Sequence, residues 1–106
     1  MEAGNVVAMF LEETRFTSRE EWEQACAGVW DDALAELRTN PGFRGLAAFW
    51  ADDDTARGGV MGLWDSLEHR LGYEARSAGT VRALFDPFFT RGPSRPRLHV
   101  TRATME

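Results

Sequence analysis

The stretch Phe43-Arg44-Gly45-Leu46-Ala47-Ala48-Phe49-Trp50-Ala51, then Asp52-Asp53-Asp54-Thr55-Ala56-Arg57-Gly58, then Gly59-Val60-Met61-Gly62-Leu63-Trp64-Asp65, decides the fold. Two short apolar runs around a polar, glycine-ended loop read as a β-hairpin. Helix signals flank it on both sides. Upstream, Ser18-Arg19-Glu20-Glu21 fits a capping box, the serine capping forward and the glutamate reaching back. Trp22, Cys26, Val29, Trp30, Ala33 and Leu37 follow at spacings of three and four, which is one stripe of a long helix. Asn40-Pro41-Gly42 stops that helix, because proline cannot continue it and glycine accepts a positive φ. Downstream, Asp65-Ser66-Leu67-Glu68 carries a second capping signal, so a helix starts right after Trp64 and runs to about Ala75. After Ser77-Ala78-Gly79 a shorter helical piece, Thr80 to Phe85, ends near Asp86-Pro87.

Outside this centre, Asn5 to Arg15 reads as a first strand. Its run Val6-Val7-Ala8-Met9-Phe10-Leu11 is too short for a helix and suits a strand buried on both faces. Arg97 to Thr104 reads as a last strand, with Leu98 and Val100 on one face and His99 and Thr101 on the other. The order βαββαβ predicts a ferredoxin-like α+β fold with a four-stranded antiparallel sheet, one domain over residues 1–106. Two helices cover one face of such a sheet. The other face should then be polar, yet Val6, Ala8 and Phe10 alternate with Val7, Met9 and Leu11, and Leu46, Ala48 and Trp50 with Ala47, Phe49 and Ala51. A second copy across a two-fold axis is the simplest cover, so a homodimer with sheets face to face is expected.

Composition narrows the function classes. The 106 residues carry 12 basic and 17 acidic side chains, a net charge of −5, which argues against nucleic acid and anionic membrane surfaces as partners. All 12 basic residues are Arg, and the absence of Lys excludes a Schiff-base mechanism. One cysteine rules out an internal disulfide and a Cys-based zinc site. Without an apolar run long enough for a membrane span or a secretory leader, a cytoplasmic protein is expected. Gly58-Gly59-Val60-Met61-Gly62 lies inside a strand with no phosphate lysine after it, so it is no nucleotide loop.

Asn40-Pro41-Gly42-Phe43 leading into a strand, and Gly59 to Ser66 ending in Trp-Asp-Ser, give the chain its family likeness. Over nearly its whole length it resembles the antibiotic biosynthesis monooxygenase-like group of the dimeric α+β barrel superfamily. Arg76-Ser77-Ala78 and Arg82 sit where such proteins carry a basic residue. The resemblance implies oxygenation of phenols or anthrones without metal or flavin, so no cofactor is expected. The superfamily also hosts haem-degrading enzymes, isomerases and cyclases. Oxygenases of this type carry an Asn four residues before the Trp and a Tyr six after; here Val60 and Arg70 stand there. The haem-degrading pattern maps onto Asn5, Tyr73 and Ala83, which leaves no axial histidine. A non-oxidative cyclase or isomerase and a non-catalytic small-ligand-binding dimer stay open as alternatives to a monooxygenase.

The candidate site follows from the strand-to-helix junction. Trp64 is either a core residue there or a pocket wall that stacks on a flat substrate. Arg82 is either a surface cation or the group that stabilises an oxyanion. Tyr73 is a candidate pocket phenol. His69 is either solvated or a general base, and His99 carries the same two readings. Phe85 lies beside Arg82, and Trp50 faces either the pocket or the barrel between subunits. Trp22 and Trp30 read as core, and Cys26 as a small buried hydrophobe. Asp52-Asp53-Asp54 reads as a solvated loop and lacks the rest of a calcium-loop pattern. The expected ligand is a small aromatic metabolite between helices and sheet, against Trp64, with Arg82 and Tyr73 near its polar end.

Overall fold

The computed structural model describes residues 6–91 and 97–99, with side chains for all of them except 8 and 97–99. Its elements run β1 (Val6–Glu13), α1 (Arg19–Leu37), β2 (Phe43–Trp50), β3 (Arg57–Trp64), α2 (Leu67–Arg76), α3 (Ala78–Phe85), a 3-10 turn (Asp86–Phe88) and β4 (Arg97–His99). The four strands form one antiparallel sheet in the order β2-β3-β1-β4, so the α+β ferredoxin-like arrangement expected from the sequence is present. The rest of the last expected strand, through residue 104, lies outside the described residues. So does Asn5.

Side-chain caps set the helix starts. Ser18 Oγ accepts from the backbone N–H of Glu21 at 3.2 Å, and Glu21 Oε1 reaches back to accept from the N–H and the hydroxyl of Thr17. At α2 the cap is Ser66, which accepts from His69 N–H at 3.2 Å, while Asp65 turns to the His69 ring. Gly42 holds φ +83°, and a Cβ there would collide with Asp65 and His69. Glycine therefore meets both demands of this turn, a left-handed backbone and a close approach.

β3 starts two residues before the expected Gly59, because the hairpin zips further: Trp50 pairs with Gly58, and Glu13 of β1 with Arg57. The register slips once, between Phe43 and Gly45. Helices α2 and α3 meet more closely than the Ser77-Ala78-Gly79 sequence suggests. Only Ser77 breaks the run, and α3 starts at Ala78. Buried Asn40 holds this joint: its Nδ2 donates to Ser77 Oγ at 3.0 Å and to Glu36 O at 3.2 Å, and its Oδ1 accepts from Arg76 Nε. The residue that stops α1 thus also ties α1 to the α2–α3 corner.

One sheet face carries Val6, Val60 and Trp64, all buried, with Phe10, Phe43 and Leu46 packed beside them. Trp22, Cys26, Ala33 and Leu37 of α1 and Val81 and Phe85 of α3 complete that core. The opposite face presents Val7, Met9, Leu11, Ala47, Phe49, Met61 and Leu63, all half-buried and outside the core cluster. Both faces are thus apolar, and only one is filled by this chain's own helices. Among the described residues no helix is long and apolar enough to cross a membrane.

Candidate functional site

A cavity of about 70 Å³ lies between the helix-covered sheet face and the α2–α3 corner. Its floor is Phe10, Leu46, Val60 and Gly62, and its roof is Arg70 and Tyr73 from α2 with Val81, Arg82 and Phe85 from α3. Trp64 closes one end. This room exists because β3 places Gly62 between Val60 and Trp64 on the same face, where any side chain would fill it.

Trp64 is 1% exposed, and its ring lies 4.6 Å from that of Tyr73, tilted by 30°, with Phe43 edge-on at 5.5 Å. The two readings of Trp64 therefore coincide: it is core on one side and cavity wall on the other. Tyr73 and Phe85 are buried in the same wall. Arg82 lines the cavity too and is the one exposed residue among those lining it, which puts it at the mouth.

Two candidates lie elsewhere. Trp50 pairs with Gly58, six residues along β3 from Trp64. At about 3.3 Å per residue this is about 20 Å away. Its ring packs on Trp22 at 6.4 Å and borders a broad polar groove with Thr17, Glu20 and Asp52. His69 turns toward the Gly42 corner, where its Nδ1 lies 2.6 Å from Asp65 Oδ1. That contact, with the developed charge on His69 adding to it, holds the Asp65 carboxyl below its usual range. With Asp65 ionised, Nδ1 carries the proton and donates it. The side chain of His99 lies outside the described residues; its backbone pairs with Val6. The Asp52–Asp54 run is loop structure: Asp53 accepts from the Thr55 hydroxyl and pairs with Arg57 at 3.0 Å. Among the described residues no three His, Cys, Asp or Glu side chains gather as a metal site. Burial pushes the Cys26 thiol up to about 12, which keeps it protonated and unreactive at neutral pH.

The residue that sequence reading left out of the site is Arg70. It is 7% exposed, lines the cavity, contacts Glu74 Oε1 through Nη2 at 3.1 Å, and holds its guanidinium carbon 5.2 Å from the Tyr73 ring centre. The signal was present: Arg70 and Tyr73 lie three apart on α2, Ser77 just past its end continues the spacing, and all three are buried. The arrangement offers a flat aromatic wall, an apolar floor, one cation in the roof and another at the mouth. It can hold a small ring and favour negative charge on it.

No family model and no curated protein matches the chain. Solved structures do. SnoaB, a cofactor-independent oxygenase from Streptomyces nogalater, superposes with a TM-score of 0.66 at 12% identity, over 97% of this chain and 98% of that one. A candidate antibiotic biosynthesis monooxygenase from Bordetella bronchiseptica gives 0.66 at 12% identity, over 96% and 99%. A dimeric ferredoxin-like protein from an uncultured marine organism gives 0.66 at 14% identity, over 99% and 94%. At these identities the likeness is one of fold: along nearly its whole length, the chain has the fold of the antibiotic biosynthesis monooxygenases.

Proposed function

We propose that the protein is a cofactor-independent monooxygenase-like enzyme that acts on a small phenolic metabolite in the cavity beside Trp64. The observation that carries this reading is the cavity itself, an apolar pocket walled by stacked Trp64 and Tyr73 with the Arg82 cation at its mouth. An ionised phenol fits that pattern: the ring takes the aromatic wall and the oxyanion takes the cation. The electron-rich anion reduces O₂ by one electron, and the radical pair recombines to a hydroperoxide. Loss of water then leaves one oxygen atom in the product as a carbonyl and releases the other as water. The protein's share is to favour the anion, exclude bulk water and keep an apolar space for O₂.

The working unit under this reading is a homodimer of single-domain chains in the cytoplasm. The second apolar sheet face, from Val7 to Leu63, supports it, since a face of that kind buried against its own copy hides well over 1,000 Å² in total. Sedimentation at micromolar concentration tests the dimer; a stable monomer would refute it.

One observation favours a second reading. Val60 stands on the cavity floor where the resemblance expects a polar Asn. An apolar floor suits a binding module that holds the same ligand without turning it over. Oxygen uptake with a panel of hydroquinones and anthrones, with a metal chelator present, separates the two. Uptake that falls about 10²-fold in kcat for Arg82→Ala, the usual size for losing one oxyanion-stabilising group, supports the enzyme. Tight binding of the panel with no uptake supports the binding module.

A further inference from the structure

We propose that the site takes a single unfused phenol ring, and that buried Asn40 is the positioning residue that enforces this limit by holding down the cavity roof. The inference rests on reading the cavity as the ligand site and adds the size class of the substrate.

About 70 Å³ is about half of the roughly 150 Å³ that admits benzene to an engineered apolar cavity. Even one ring therefore enters only where the wall yields. The floor does not yield. β1 and β3 are the inner strands of the sheet, each hydrogen-bonded to a neighbour on both sides. The Trp64 end is fixed as well, since that ring is 1% exposed and packs on Phe43 and Tyr73. The mouth is different. Arg82 is exposed there, and its long side chain swings into solvent without opening the core. Its bulk is close to that of one ring, so its displacement makes room for one ring and no more.

A second, fused ring needs the roof itself to rise. The roof is two short helices, α2 and α3, joined at Ser77, whose φ of −125° departs from the helical value. A joint of this kind is where rigid pieces hinge. Asn40 ties it to α1. Its Nδ2 donates to Ser77 Oγ at 3.0 Å, and its Oδ1 accepts from Arg76 Nε at 3.2 Å. Asn40 is itself anchored, because its backbone N–H donates to Leu37 O at 3.1 Å and Nδ2 also donates to Glu36 O at 3.2 Å. Ser77 passes the restraint on. Its N–H donates to Tyr73 O at 2.8 Å and its carbonyl accepts from Val81 N–H at 3.1 Å, and both of those residues line the cavity. Asn40 and Ser77 are 5% and 4% exposed. Lifting the corner therefore parts buried polar groups from their partners, the costly way to lose a hydrogen bond.

The test compares phenol with 2-naphthol by nuclear magnetic resonance titration of the full chain at neutral pH, with oxygen excluded so that neither is turned over. In a pocket with room to spare the naphthol binds more tightly, because more apolar surface leaves water. Phenol should instead bind at least tenfold more tightly. Asn40→Ala and Ser77→Ala should each bring that ratio below about threefold by admitting the naphthol, while phenol affinity changes less. Thr14→Ala removes a buried hydroxyl bonded to Ala56 O, at the opposite end of β1 from the Val6–Trp64 pair. It should lower Tm and leave the ratio unchanged, which separates release of the roof from general loosening. Naphthol binding as tight as that of phenol in the unmodified chain would overturn the size limit without needing any variant to fold. An unchanged ratio in folded Asn40→Ala or Ser77→Ala, or an equal loss of it in Thr14→Ala, would remove Asn40 from its role. Absence of binding by either ring at millimolar concentration would remove the cavity as a ligand site, and the proposed function with it.

Discussion

Replacing Gly62 by alanine should stabilise the fold and damage the site at once. Gly62 lies mid-strand, between buried Val60 and Trp64, on the floor of the cavity. A Cβ built there meets Trp64 Nε1 at 3.5 Å, an ordinary van der Waals contact, so the methyl group enters empty space without strain. Two terms favour the alanine. A glycine inside a strand costs roughly 0.5–1 kcal/mol relative to alanine through the freedom it loses on folding. Filling the cavity returns about 24 cal/mol per Å³, so complete filling of 70 Å³ is worth about 1.7 kcal/mol, and one methyl recovers a fraction of that. The sum is on the order of 1 kcal/mol, or a rise of about 4–8 °C in Tm for a domain of this size. Melts should be run at one protein concentration, since dimer formation would couple Tm to it. The same methyl narrows the floor on which a ring must rest, so binding of a hydroquinone should weaken at least tenfold. A variant that is less stable and binds as before would show that the Gly62 face is already filled, and the cavity argument would fall.

Trp64→Ala removes a ring packed on Tyr73 and Phe43 and should cost roughly 3–5 kcal/mol, read by urea unfolding; a loss under about 1 kcal/mol would deny Trp64 its place in the core. Gly42→Ala should cost at least about 1–2 kcal/mol in the same assay from the left-handed backbone alone, with the contact against Asp65 and His69 added; an unchanged midpoint would contradict the turn geometry. Stability should also fall at acid pH. Hydrogen bonds from His69, Thr55 and Thr17 hold the carboxyls of Asp65, Asp53 and Glu21 below their ordinary values of 3.8, 3.8 and 4.5. A depressed carboxyl contributes fully above its unfolded value and loses that contribution as pH drops through the folded one, so the loss begins near pH 4.5 and deepens below it. Asp65→Asn should flatten part of this acid limb in a Tm-against-pH series; an identical limb would remove Asp65 from it.

The fold was legible because its signals are local and agree. Two apolar runs around a polar loop can only pair with each other at that distance, and Ser18 and Ser66 fix where helices begin. The details that escaped are tertiary. The α2–α3 corner reads as a three-residue break because Ser77 and Gly79 are poor helix formers that bracket a single alanine. It narrows to Ser77 because Asn40, distant in sequence, satisfies the polar groups at the corner. Trp50 is ambiguous in sequence for a related reason. Alternation assigns a residue to a face, but only the register shows that Trp50 and Trp64 lie at opposite ends of that face.

The site is harder to read because its decisive residue breaks the pattern that drew attention to it. Matching the strand-end Trp to its expected neighbours marks positions 60 and 70 as lost polar groups. The structure shows that only one polar function disappears. At Val60 the floor becomes apolar, while at Arg70 a charged group points from the helix side onto the same cavity. Here the sheet-side amide is lost and the helix-side phenol is exchanged for a cation, so the polarity left at these two positions is charged and lies on the helix. Neutral donors polarise a neutral ligand as it reacts. A buried guanidinium held by Glu74 and set beside the Tyr73 ring instead stiffens the helix-side wall. The two arginines then have separable effects: loss of Arg70 should lower stability, by breaking its contacts with Glu74 and Tyr73, and loss of Arg82 should slow turnover of whatever is bound.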